Sequence, residues 1–361
     1  MVVFHVSKNI EIKSHKGKYI ASFVRTGMDA LNEDINENAI YIIDENIAEI
    51  YRDRLSNILN KGRVLKIQAT EENKSLEKFP KYVSQLVQLS VRREQQLIAI
   101  GGGIIQDITC FLATTLMRGL PWVFYPTTLL AQADSCIGSK SSINSGDIKN
   151  ILGTFTPPDN VVIDIDFLSS LSHKDILSGM GEMIKVHAIS SPKSFDRISD
   201  AYDDILADST VMEKYIHNSL LIKKEIIEID EFDKGPRNVM NYGHSFGHAI
   251  ESATNFGIPH GIAVTIGMDM ANYVAFILGV STEAHFKRMH GVMIKNYQLF
   301  RDVNIDIDLL ISALQKDKKN TASQLRLILP NMQGDITIGL YDNNEKFKET
   351  VLSYLTTIFR G

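Results

Sequence analysis

The chain has 361 residues, 44% hydrophobic and 22% charged, with a formal net charge of −5 and an isoelectric point near 6.1. That length allows one large or two medium domains, and the mildly acidic balance gives no general attraction to nucleic acid or an anionic membrane. Two cysteines, Cys110 and Cys136, are too few for a disulfide framework. No basic leader with a long apolar run opens the chain, and no stretch has the length of an uncharged membrane span, so the expectation is a cytoplasmic enzyme.

In chain order, "NAIYIIDENI" and "RVLKIQA" are expected as strands, and "SLEKFPKYVSQLVQLSV" has helical spacing. "QQLIAIGGGIIQDITCFLATTLMRG" reads as strand, glycine turn and helix, and "PWVFYPTTLL" and "NVVIDIDFLSSL" as further strands. Strands alternating with helices imply a parallel sheet covered on both faces. From about residue 171 the apolar spacing becomes helical, until "LRLILP" and "DITIGLY" near the end. The expected architecture is an α/β nucleotide-binding domain over 1–170 and a mainly α-helical domain over 171–361, with the cleft between them as the site.

Several stretches carry chemistry. Three glycines after a strand in "AIGGGIIQD" let backbone approach a phosphate at a helix N-terminus. Gln106 stands at the last glycine position of G-x-G-x-x-G, so dinucleotide binding and a plain tight turn both remain open. "GSKSS" lacks the upstream glycine of a P-loop. "PTTLLAQADSCIGSKSSINSGDIKN" is expected as a long polar loop, where Asp134, Lys140, Lys149 and Asn150 either hold a phosphate or carboxylate or are merely solvated. In "GMGEMIKVHAI", Glu182 and Lys185 are three apart, facing a site or forming a surface pair. Lys223, Arg237 and Asn241 precede "NYGHSFGHAIESATNFGIPHG", where His244 and His248 share a helix face and His260 follows a turn. Ser245 excludes the zinc-protease pattern H-E-x-x-H.

Taken in order, "GGGIIQD", "MRG", "PTTLLAQADS", "GSKSSIN", "KNILGTF", "GEMIK", "DKGPR", "NYGHSFGHAIE", "HGIAVTIGM" and "DKKN" resemble the 3-dehydroquinate synthase family of sugar-phosphate cyclases, from about residue 41 to 330. The resemblance implies a nucleotide-binding α/β domain and a helical domain, with NAD and a divalent metal, zinc or cobalt. It places metal ligands on Glu182, His244 and His260, with His248 facing substrate. It places NAD contacts on Asp44, Asn46, Glu71, Lys74, Gly102, Gly103, Asp107, Thr127, Thr128, Lys149, Phe167, Ser170 and Asp175. Substrate positions would be Asp134, Lys140, Asn150, Lys185, Lys223, Arg237, Asn241, His248 and Lys318. Arg118 matches an arginine that reaches the neighbouring subunit's site, which implies a homodimer.

The implied reaction takes a seven-carbon keto-acid phosphate to 3-dehydroquinate through transient oxidation by NAD, β-elimination of phosphate, re-reduction and an intramolecular aldol. Three positions depart from the family pattern: Gln106 for a glycine, Ser139 for the second glycine of G-G-K-T, and Thr70 for the glycine before "EENK". A paralogous cyclase acting on another sugar phosphate, a metal-dependent polyol dehydrogenase and a ligand-sensing relative are the competing expectations. Retained Arg237, Asn241 and His248 favour a substrate with a carboxylate.

Overall fold

The computed structural model describes residues 5–146, 148–316, 320 and 323–361. The chain forms two units: 1–171 with 223–233, and 172–222 with 234–361.

The first unit is built on a seven-stranded sheet. Its strands are β1 (His5–Ser14), β2 (Gly17–Arg25), β3 (Ala39–Asp44), β4 (Val64–Ile67), β5 (Gln96–Gly101), β6 (Trp122–Pro126) and, after the hairpin β7 (Lys140–Ser145) and β8 (Ile148–Phe155), β9 (Asn160–Asp164). The order is β1-β2-β9-β6-β5-β3-β4, parallel throughout except for β1 against β2. Every residue of β3 is buried, as expected of a strand covered on both faces. One face packs Met28, Ile47, Leu55 and Ile58 against Tyr41, Ile43, Ile98 and Ile100. The helix Gly103–Thr115 buries Ile105, Ile108 and Leu112.

Two parts of this unit differ from the sequence expectation. The β1–β2 hairpin was not anticipated, although Ile10 and Ile12 alternate with polar residues and the two-residue turn ends on Gly17 at φ 115°. The stretch expected as a long polar loop is instead a single wide helical turn, Ala131–Ser135, followed by the antiparallel β7–β8 hairpin. Strand β8 shows no inside–outside alternation because it is exposed along nearly its whole length. Period 2 reports a half-buried strand only, so β8 left no signal.

The helix Ser209–Ile229 ends in the stretch that belongs to the first unit. That stretch is fixed by Lys13 N–H donating to Glu228 Oε1 at 2.8 Å and by His15, whose N–H and Nδ1 meet the Glu231 carboxylate, each at 2.8 Å.

The second unit is mainly helical, with the hairpin β10 (Gln324–Pro330) and β11 (Ile336–Asp342) as its sheet among the described residues. Three of its helices, His173–Ser190, His244–Ala253 and His260–Ile277, meet at glycines. A Cβ on Gly261 would stand 1.8 Å from Ser178 O, and one on Gly267 would stand 2.1 Å from Gly243 O. Side chains are excluded there, so the backbones touch. Asp269, fully buried, accepts hydrogen bonds from Tyr297 at 2.7 Å and Tyr354 at 2.9 Å and faces His290 Nδ1 at 2.9 Å, tying the helix Glu283–Tyr297 and the C-terminal segment to its own helix. No helix among the described residues is long and apolar enough to cross a membrane.

Candidate active site

In the second unit the glycine contacts decide where the polar residues go. Gly181 precedes Glu182, Gly243 precedes His244, Gly247 precedes His248, and Gly261 follows His260. The close backbones therefore bring one carboxylate and three imidazoles together. Nitrogens of His244, His248 and His260 all lie within 4.8 Å of one another. Glu182 Oε1 lies 3.7 Å from His244 Nε2 and 3.2 Å from His260 Nε2. Other contacts orient the rings: His244 Nδ1 lies 3.3 Å from Tyr242 O, and His260 Nδ1 lies 3.3 Å from both oxygens of Glu251. Each ring is thereby held with Nε2 toward Glu182.

Glu182 is 2% exposed and Lys185 3%, so the surface-pair reading is excluded; Lys185 Nζ lies 2.5 Å from Glu182 Oε2. Burial pushes the Glu182 carboxyl up, but Lys185, His260 and His244 outweigh it and hold the group well below the usual range. Burial, with Lys185 and the neighbouring imidazoles, keeps His244 well below an ordinary histidine. His260 is pushed down by burial but raised to about 10 by Glu182 and Glu251. A compact anion–imidazole group in which neither buried Glu182 oxygen accepts a well-aligned hydrogen bond fits a divalent cation. Geometry alone also offers His248 as a fourth donor.

Arg237 is 8% exposed on the turn Pro236–Asn241, and Asn241 Nδ2 donates to Asn238 O at 3.2 Å. Asp175 is engaged as a cap: Ser172 Oγ accepts from Asp175 N–H and donates to its carboxylate. Lys318 lies outside the described residues.

The first unit gathers a second set. Gly102 caps the helix Gly103–Thr115 without a side chain, so no cap occupies the first N–H groups. A Cβ on Gly102 would stand 2.9 Å from Thr128 Cγ2, and the buried Thr127 Oγ1 has no hydrogen-bond partner. That glycine cradle beside an orphaned hydroxyl fits the phosphates of a dinucleotide. Lys74 Nζ donates to Asp107 at 3.2 Å and Asn150 at 3.0 Å and lies 3.6 Å from Glu71. Burial raises Asp107 to about 6, against the pull of Lys74. Asp44, at the end of β3, accepts from the Asn46 N–H at 3.0 Å. Lys223 Nζ meets both Asp134 Oδ1 and O at 2.6 Å, and Lys140 Nζ meets Asp233 at 2.9 Å.

Some expected residues stand apart. The Phe167 ring is 1% exposed and packs edge-on against Tyr51 at 5.4 Å, so only its backbone can touch a ligand. Ser170 Oγ donates to Phe167 O, and Lys149 and Arg118 are exposed. Three residues were missed: Asp233 on Lys140, Glu251 on His260, and Asn144, whose amide donates to Glu71 while its Oδ1 accepts from the Asn150 N–H. "DKGPR" and "GHAIE" contained two of them, but nothing in sequence distinguishes such acids from solvated ones.

Two adjoining family models match: 3-dehydroquinate synthase N-terminal over residues 64–178, and 3-dehydroquinate synthase C-terminal over residues 179–320. The chain is 35% identical to 3-dehydroquinate synthase of Alkaliphilus metalliredigens over 83% of this chain and 85% of that protein. It is 33% identical to that of Pelagibacter ubique over 93% and 95%. Among solved structures it is similar to 2-deoxy-scyllo-inosose synthase complexed with carbaglucose-6-phosphate, NAD+ and Co2+, with TM-score 0.83 and 23% identity over 95% and 99% of the two chains. It is also similar to 2-epi-5-epi-valiolone synthase from Streptomyces hygroscopicus with NAD+ and Zn2+ bound, with TM-score 0.80 and 24% identity over 93% and 96%. By these matches the chain belongs to the 3-dehydroquinate synthase family.

Proposed function

We propose that the protein is a phosphate-eliminating cyclase, a carbon–oxygen lyase that converts a seven-carbon keto-acid phosphate into 3-dehydroquinate and phosphate. Family membership supports the reaction class. The observation that carries the reading is the grouping of Glu182 with His244 and His260 beside the buried cation Lys185.

When bound, NAD would supply a reversible hydride acceptor, and a divalent ion, zinc or cobalt, would polarise the reacting hydroxyl. Glu182, His244 and His260 would hold the ion, while His248 is left for a substrate proton or hydroxyl. The uncapped N–H groups at Gly102 and Gly103 would take the dinucleotide phosphates, with Lys74 kept in place by Asp107 and Asn150. Lys223, Lys140 and Arg237 would neutralise the anionic ends of the substrate, the arginine fork matching a carboxylate or phosphate in two bonds. The resemblance matches Arg118, which is exposed, to an arginine that would reach a second copy, so the working unit would be a homodimer. Two buried free thiols fit a reducing, cytoplasmic setting.

The test is phosphate release from a panel comprising the seven-carbon keto acid, a heptulose phosphate and glucose 6-phosphate, with catalytic NAD. Phosphate from the keto acid without net NADH is expected. Release from a sugar phosphate lacking the carboxylate would move the protein to a paralogous cyclase. Stoichiometric NADH would make it a dehydrogenase.

A further inference from the structure

Gln106 stands where the family pattern has a glycine, and it is only 6% exposed. Its amide is spent on one residue. Nε2 donates to the Ser135 carbonyl at 2.7 Å, and Ser135 Oγ donates to Oε1 at 2.6 Å. Ser135 ends the turn Ala131–Ser135, in which the Cys136 N–H reaches back five residues to Ala131 O at 2.9 Å. A single wide turn of this kind has few hydrogen bonds of its own and depends on outside support. The residue before Ser135 is Asp134, whose carbonyl and carboxylate both hold the Lys223 ammonium at 2.6 Å. A continuous set of contacts therefore runs from Gln106 through Ser135 and Asp134 to Lys223. With glycine at 106, both Ser135 groups would lose their partner and the turn its brace.

We propose that Gln106 is a positioning residue of this chain: it braces the Asp134 turn through Ser135 and so fixes where the Lys223 ammonium stands. Its consequence for turnover rests on the reading of Lys223 as a substrate cation. A charge displaced by a fraction of an ångström captures and orients an anion less well.

Gln106→Leu keeps bulk and removes both hydrogen bonds, while Gln106→Glu keeps the acceptor for Ser135 Oγ. Ser135→Ala, which removes one bond and little volume, serves if the leucine variant folds poorly. The first readout needs no turnover: competitive acetylation of the full chain, with Lys223 read by peptide mass spectrometry against exposed Lys287. Labelling of Lys223 should rise several-fold in Gln106→Leu, less in Gln106→Glu and Ser135→Ala, with Lys287 unchanged. Unchanged Lys223 labelling in all three overturns the proposal.

The second readout is kinetic. Gln106→Leu should raise KM for the keto-acid phosphate by about tenfold while NAD affinity holds, and combining it with Lys223→Met should cost no more than Lys223→Met alone. Losses that multiply would place Gln106 outside the Lys223 path and overturn the proposal. Raised labelling beside normal kinetics of Lys223→Met would support the brace and remove Lys223 from the substrate reading instead.

Discussion

A Cβ on Gly181 would stand 2.0 Å from the carbonyl oxygen of Gly261, so the helices that begin at His173 and His260 touch backbone to backbone beside Glu182 and His260. The separation of a carboxylate and an imidazole is thereby set by two residues that have no side chain. Gly181→Ala should part the helices, cost about 3 kcal/mol or more by overpacking, and lower the bound metal together with the melting temperature. Calorimetry and metal analysis on the purified variant check both; an alanine variant with full metal content and unchanged Tm would show the contact to be soft.

The donors around Glu182 can be separated by removing them singly. His244→Ala and His260→Ala should lose metal and turnover together. His248→Ala should keep its metal and lose turnover by about 100-fold or more, the usual range for a proton-transfer group. Metal-to-protein ratios by mass spectrometry decide. A fully loaded His244→Ala enzyme would remove His244 from the ligand set, whereas a metal-free His248→Ala enzyme would transfer the ligand role to the three-imidazole grouping.

Acid should weaken the second unit through His187. It is 3% exposed, its Nδ1 lies 2.8 Å from Ser194 Oγ, and burial brings it down to about 4. Because the folded value lies below that of the unfolded chain, the stabilisation is present above about pH 6.5 and is lost as pH falls toward 4. The contribution between pH 7 and pH 5 is about 2 kcal/mol. Denaturant titrations at the two pH values should show that difference shrink in His187→Gln.

Arg118 is exposed on a turn where Met117 and Arg118 both have positive φ, 50° and 68°. If it completes a neighbour's site, Arg118→Ala and His248→Ala should each be inactive alone. Co-expressed, they should regain part of the activity, because a mixed dimer holds one intact site. No recovery, with mixed dimers present by native mass spectrometry, would confine each site to one chain.

Much of this was legible in residue order. Strand β3 and the "LIAIGGG" run are apolar, short and bounded by turn residues, so their burial and parallel pairing follow from composition. The helical residues from His173 onward repeat their apolar positions at helical spacing, and His244 and His248 share a face by arithmetic alone. The family's motif order carried Glu182 and His260 as well. What sequence could not show is contact across distance. Strand β8 lacks alternation because it is exposed, and Asp233 and Glu251 look like any solvated acids until Lys140 and His260 stand beside them. Gln106 reads as a lost glycine in one dimension and as a brace on Ser135 in three. Local periodicity fixes which face a residue takes; only the packed backbones decide which face it meets, because hydrogen bonds and ion pairs reach a few ångströms through space whatever the separation along the chain.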